Sequence, residues 1–204
     1  MKKDFPHLPA VKIHLHKSIP IGAGLGGGSS DAAYTLMALN DRYALNLLEE
    51  QLLSYALMLG SDCPFFIINK PCIAGGRGEI LEPVNISLAG YRLVILNPGI
   101  HLSTPWAFSH IKVSTDLPVT HTNSFHYMLS SPLNTWKGTF KNDFEEPVFK
   151  KYPAIRAARD LLYARGALFA MMSGSGSSVY GIFDKETQHS IDFPENLPGY
   201  SIIL

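Results

Sequence analysis

Lys17-Ser-Ile-Pro-Ile-Gly-Ala-Gly-Leu-Gly-Gly-Gly-Ser-Ser-Asp-Ala-Ala33 is the stretch on which the reading of this chain turns. Five glycines, Gly22, Gly24, Gly26, Gly27 and Gly28, fall within seven residues and are followed by Ser29, Ser30 and Asp31. An apolar set at helical spacing comes next: Ala32, Ala33, Leu36, Met37 and Leu39. Glycine adopts backbone angles closed to other residues and lets a ligand approach the main chain closely. Ser and Asp open helices by bonding the free N–H groups of the first turn. The pattern predicts a glycine loop feeding a helix from about Ser30 to Tyr43. Such a junction offers converging N–H donors and the positive end of a helix dipole, which is an anion site, most often for phosphate.

Generic motifs fit this stretch less well. Walker A needs Gly-Lys-Ser/Thr, which is absent here. Gly22-x-Gly24-x-x-Gly27 satisfies the dinucleotide fingerprint, but that motif wants its glycines directly after a strand and a second strand after the helix. Here Lys17 to Ile21 intervene, and a second helix is predicted to follow. Gly28-Ser29-Ser30-Asp31-Ala32 approximates a nucleophile elbow with Ala in place of the last glycine. A hydrolase built on Ser30 would need a His and an acid later in the chain, and His189 sits in a polar tail with no evident partner. A well-capped glycine turn without a ligand is the plainest alternative.

Working outward, 204 residues with 46% hydrophobic content suffice for a real core, in one large domain or two small ones. Seventeen basic and seventeen acidic residues cancel, without a long charge run, which argues against nucleic-acid and membrane-surface partners. Cys63 and Cys72 are too few for a disulfide framework and lack zinc-ligand spacing, so a reduced cytoplasmic protein is expected. No apolar run reaches a membrane span, and no signal-like segment follows Met1.

Val11, Ile13 and Leu15 alternate with Lys12, His14 and His16, predicting a half-buried strand. His14 and His16 are better read as its wet face than as metal ligands, and no metal site is expected. Asn46 is placed to cap a second helix, about Leu47 to Leu59, ended by Gly60. In Gly60-Ser-Asp-Cys-Pro-Phe-Phe, Pro64 suits a first helical turn, and on chemistry alone Ser61 or Asp62 reads as its cap. Cys72 to Leu81 reads as two short strands around a glycine turn. Tyr91 to Leu96 is a buried strand ended by Asn97-Pro-Gly. Ser103 or Thr104 caps a short helix carrying Phe108, whose ring serves equally as a ligand platform or a core staple. Lys112 to Lys141 is polar loop with one short helix, and the best candidate for a mobile segment. A helix is predicted from about Pro153 to Ala164, with Ile155, Ala158, Leu161 and Leu162 as its apolar face. Two apolar strands then flank Ser173-Gly-Ser-Gly-Ser-Ser, a loop too long for a tight hairpin turn. Tyr200 to Leu204 suits a terminal strand.

Three of these stretches together resemble the GHMP kinases, over essentially the whole chain. Pro20 to Ala33 is similar to the family's phosphate loop. Gly60-Ser-Asp-Cys-Pro-Phe-Phe resembles the element whose Asp is the catalytic base. Ser173-Gly174-Ser175-Gly176 resembles the last family motif, which packs against the phosphate loop. The triple glycine before Ser-Ser looks most like members acting on 4-diphosphocytidyl-2-C-methyl-D-erythritol in non-mevalonate isoprenoid synthesis. Gly75-Gly-Arg-Gly-Glu-Ile-Leu and Asn142-Asp-Phe-Glu also resemble family elements, the first lying beside the substrate.

The resemblance implies an α+β, two-domain fold, with residues 1–85 as the remainder of an ATP-binding domain and 86–204 as a C-terminal domain. It implies an enzyme that uses ATP and Mg²⁺ to phosphorylate a hydroxyl of a small molecule, with Asp62 as base. Lys17, Pro20, Gly22, Gly24, Leu25, Gly26, Gly27, Gly28, Ser29 and Ser30 would hold ATP, and Thr104 and Phe108 the acceptor, Phe108 by stacking on cytosine. A mevalonate- or homoserine-type kinase is the nearest alternative, and a nucleotide-binding fragment without turnover is the alternative outside catalysis. Family members carry further strands before Val11, including a Pro-Ala-Lys segment whose Lys assists the Asp. The expectation is therefore an exposed sheet edge at Val11 to His16 and poor turnover by these 204 residues alone. Oligomeric state is not set by the sequence, and a dimer is compatible with it.

Overall fold

The computed structural model describes residues 1–111, 122–186, 197 and 199–204. The opening part of the polar segment, 112–121, and His189 lie outside the described residues. Two compact units emerge, one of residues 1–21 and 26–85, the other of residues 22–25 and 86–204.

In the first unit, helix α1 spans Gly27–Arg42, α2 Glu49–Leu59 and α3 Cys63–Ile68, and strands β1 Cys72–Gly75 and β2 Ile80–Pro83 form an antiparallel pair. The apolar spacing read in α1 has a simple basis: Leu36 meets Leu52 and Ala56 of α2 and Cys63 of α3 in one buried cluster. Helices of 16, 11 and 6 residues are at best marginal alone, so their packing on one another in this cluster holds them. Two details depart from expectation. Asn46 caps nothing; it sits at φ 54° and donates to Ala44 O at 3.1 Å, while Gln51 accepts from Leu48 N at 2.9 Å to close the start of α2. Helix α1 also begins three residues before Ser30.

The expected strand at Val11 to His16 does not form. Its apolar side chains are exposed, Val11 by 43%, Ile13 by 65% and Leu15 by 58%. Alternation specifies which face a strand buries, but a strand exists only where a neighbour takes up its N–H and C=O groups. Among the described residues of this unit the only ladder is β1–β2, which Val11 to His16 does not join.

The second unit is built on a four-stranded antiparallel sheet in the order β4-β5-β3-β6, with β3 Tyr91–Leu96, β4 Phe169–Met172, β5 Val179–Asp184 and β6 Gly199–Ile203. Helices α4 Thr104–His110, α5 Thr122–Ser130, α6 Glu145–Lys151 and α7 Pro153–Ala164 accompany it, with a 3₁₀ turn at Leu133–Thr135. Helix α7 has the predicted bounds, and its buried Ile155, Ala158 and Leu162 join Val94, Leu96, Met172, Val179 and Phe183 of the sheet in the main core. A second cluster gathers Leu133, Trp136, Phe169 and Ile182. Gly181 in β5 sits in a close fit: a Cβ there would lie 3.1 Å from Phe183 and 3.2 Å from Leu162 of α7. The architecture is α+β. Among the described residues no helix is long and apolar enough to cross a membrane.

Candidate functional site

Helix α1 starts from Gly26, which holds the left-handed conformation at φ 67°, ψ 14°. A side chain there would be strained and would also meet the Phe66 ring, 2.7 Å from an ideal Cβ. Because the helix opens on glycine, Ser29 and Ser30 lie inside it and do not cap it, contrary to expectation. Ser30 N already donates to Gly26 O at 2.9 Å. Among the described residues no side-chain cap bonds the first-turn donors of Gly27, Gly28 and Ser29. Lys17 brings its ammonium to the same place, 3.4 Å from where a Cβ of Gly27 would stand. It is held there by an ion pair with Asp31, one turn further along α1. Backbone donors, the helix dipole and a tethered cation thus converge on one first turn. Pro20 is exposed in the segment leading to it.

Asp62 occupies the N-cap position of α3, with Pro64 following in the first turn, yet its carboxylate makes no capping bond. The side chain is exposed and turned towards the β1–β2 turn, where Gly78 sits at φ +107° with its Cβ position 3.4 Å from Asp62 Oδ1. In that turn Glu79 accepts from Arg77 N at 2.6 Å, and backbone hydrogen bonds hold its carboxyl below the usual range. Among the described residues the Asp62 carboxylate bonds no helix N–H, so its geometry does not bear out the cap reading.

In the second unit, Gly22–Leu25 lies against the second glycine loop. Ser173 Oγ donates to Gly24 O at 2.7 Å, and Ser178 N donates to Ala23 O at 3.0 Å. Gly24 has no room for a side chain: its Cβ would fall 2.3 Å from Ser173 O and 2.6 Å from Gly176 O. Gly174 O accepts from Asn142, Ser175 is half-buried, and a Cβ on Gly176 would stand 2.8 Å from Met172 Sδ. Buried Ser178 also accepts from Asn97 at 3.1 Å, tying the loop to the end of β3.

Ser103 caps α4, accepting from Trp106 N at 3.4 Å; Thr104 is the first residue of that helix. Phe108 is 59% exposed and touches Phe144 edge-on, with ring centroids 4.9 Å apart. The core position of α4 belongs to Ala107. A staple into the core is thereby excluded, and a supported, solvent-facing ring remains.

Several pairings are not legible in the sequence. Asp31 was visible inside the motif, but its pairing with Lys17 was not. Glu145 accepts from Met172 N at 2.8 Å and pairs with Arg159 at 2.9 Å. Burial works against the charge on Arg159, but its hydrogen bond to Asp160 and the charge of Glu145 more than offset this and hold the guanidinium above its ordinary pKa. Burial, reinforced by the Glu145 charge, pushes neighbouring Tyr180 up to about 12. The ring of His101 packs on Gly22, 2.9 Å from a would-be Cβ. Lys17 and Asp31, Glu145 and Met172, and His101 and Gly22 are far apart in sequence, so no local pattern marks these pairings.

Residues 1–70 match the profile of the GHMP kinases N terminal domain, and residues 128–191 that of GHMP kinases C terminal. The 4-diphosphocytidyl-2-C-methyl-D-erythritol kinase of Bacteroides fragilis (strain ATCC 25285) is 49% identical over 186 residues, which is 91% of this chain and 66% of the relative. The protein of the same name in Cytophaga hutchinsonii is 43% identical over 92% of this chain and 68% of its own length. A crystal structure of 4-(cytidine 5'-diphospho)-2C-methyl-D-erythritol kinase superposes with a TM-score of 0.66 at 33% identity, covering 81% of this chain and 59% of the other. The chain thus spans about two thirds of the length of the curated relatives it matches.

Proposed function

We propose, from the premise that this chain belongs to the GHMP kinases, that it transfers the γ-phosphoryl group of ATP to a hydroxyl of 4-diphosphocytidyl-2-C-methyl-D-erythritol, a step of isoprenoid biosynthesis. The observation that carries the reading is the uncapped first turn of α1 with Lys17 beside it. Phosphoryl transfer asks a protein mainly for positioning and charge neutralisation. The donors of Gly27, Gly28 and Ser29 and the Lys17 ammonium supply both for a triphosphate. The names of the relatives support the choice of acceptor.

Asp62 orients the acceptor hydroxyl and takes its proton. The acceptor oxygen gains the bond to γ-phosphorus, the bond to the bridging oxygen breaks, and ADP leaves with that electron pair. Phe108 stacks on the cytosine ring, with Thr104 beside it on α4. Ser29 and Ser30, in the first turn of α1, are the hard oxygen donors that would hold a magnesium ion accompanying the triphosphate. When bound it supplies neutralisation of phosphate charge.

The test is transfer of label from γ-labelled ATP. The expected product is the monophosphate of 4-diphosphocytidyl-2-C-methyl-D-erythritol, with mevalonate and homoserine left unlabelled. Labelling of either of those would replace the acceptor, and tight ATP binding without any transfer would leave a nucleotide-binding fragment. Phe108→Ala is expected to lose about 1–3 kcal/mol of acceptor binding while ATP affinity and thermal stability stay unchanged. Calorimetric titration of the two ligands measures this, and equal losses for both would remove Phe108 from the acceptor site.

A further inference from the structure

We infer that the Asn142–Glu145 turn is a positioning device for the phosphate-binding loop, acting through the second glycine loop; the inference rests on reading Gly22–Ser30 as the ATP site. Asn142 Nδ2 donates to Met172 O at 2.9 Å and to Gly174 O at 2.8 Å, while its Oδ1 accepts from Phe144 N at 2.9 Å. One amide thus clamps both sides of Ser173 and fixes its own turn. Glu145 Oε1 takes the N–H of Met172 at 2.8 Å, so both backbone polar groups of Met172 end on this turn. Its Oε2 is paired with Arg159 of α7 at 2.9 Å, which anchors the clamp on the core. From the clamped Ser173 the hydroxyl reaches Gly24 O at 2.7 Å.

The consequence is a chain of direct bonds: Arg159 to Glu145, Glu145 and Asn142 to Met172 and Gly174, Ser173 to Gly24. Glycine-rich loops have no side-chain packing to hold them and many accessible conformers. Gly174 and Gly176 sit at φ +53° and +91°, where the segment needs outside restraint to keep one shape. Asn142 and Glu145 provide that restraint from polar atoms, at a distance in sequence of 27–32 residues. They touch no substrate in this scheme; they are positioning residues, and what they position is Gly24, through the bond of Ser173 Oγ to its carbonyl.

Asn142→Asp is the informative variant. It is isosteric and keeps the acceptor for Phe144 N, but it loses both donors and sets a carboxylate against two carbonyl oxygens. With two hydrogen bonds lost, ATP affinity is expected to fall about tenfold or more. Affinity for the acceptor should hold within about twofold, and a merely structural role would not split the two ligands this way. Amide exchange at Gly176 and Ser178, whose N–H groups bond Ser173 O and Ala23 O, should quicken. Glu145→Gln retains an acceptor for Met172 N and is expected to keep ATP affinity within about threefold, whereas Glu145→Ala should resemble Asn142→Asp. Unchanged ATP affinity and unchanged exchange in Asn142→Asp would overturn the inference, as would equal weakening of both ligands. If Asn142→Asp does not fold, Ser173→Ala cuts only the last link, and undiminished ATP affinity there counts against the inference. Should the unsubstituted chain bind no ATP, the proposed function falls, while amide exchange still decides whether the turn restrains the loop.

Discussion

Gly24→Ala is expected to cost about 3 kcal/mol or more of stability and to weaken ATP binding by over a hundredfold. Two terms add. Gly24 stands at φ +76°, where an L-residue pays about 1–2 kcal/mol, and the new methyl would overlap Ser173 O at 2.3 Å and Gly176 O at 2.6 Å. Both obstacles are main-chain atoms, so no side chain can swing aside. Relief requires the two glycine loops to part, which breaks the bonds from Ser173 Oγ to Gly24 O and from Ser178 N to Ala23 O. At Gly28, by contrast, nothing lies within 4 Å of an added Cβ and the backbone is helical. Gly28→Ala should therefore leave thermal stability unchanged or slightly raised. Thermal unfolding and ATP titration of the two variants measure the contrast, and wild-type values for Gly24→Ala would show that the loops do not need their close approach.

Asp62→Asn is expected to fold normally, to bind ATP as before, and to turn over about two to four orders of magnitude more slowly. The amide matches the carboxylate in size and can still accept a hydrogen bond, but it cannot take up a proton. A capping Asp would lose little on this change. In this structure no cap is at stake, since the Asp62 side chain makes none. The comparison is made in a form of the protein that transfers phosphate, with ATP affinity and unfolding temperature measured alongside. Normal turnover in Asp62→Asn would return the proton to another acceptor and reduce Asp62 to a surface residue of the turn.

Local pattern decides much of this protein. Glycine spacing announced the loop, apolar periodicity announced α1 and α7, and Pro64 announced the start of α3, because each of these signals acts within a turn or two of chain. The glycine run misled on one point. Helix α1 opens on Gly26 without a side-chain cap, so Ser29 and Ser30 are interior and the first-turn donors stay free. The alternation from Val11 to Leu15 misled more, since a strand is a property of a pair and no partner takes it up among the described residues.

What only the tertiary structure decided is who touches whom. Lys17 is drawn to Gly27 by an acid fourteen residues later, and Gly24 meets Ser173 across 149 residues. Asn142 and Glu145 find Met172 at thirty and twenty-seven. Hydrogen bonds and exclusion of a methyl group act over a few ångströms of space, with no dependence on separation along the chain. The sequence by itself therefore named the candidate residues, and folding alone determined which of them are clamped and which glycines leave no room for anything larger.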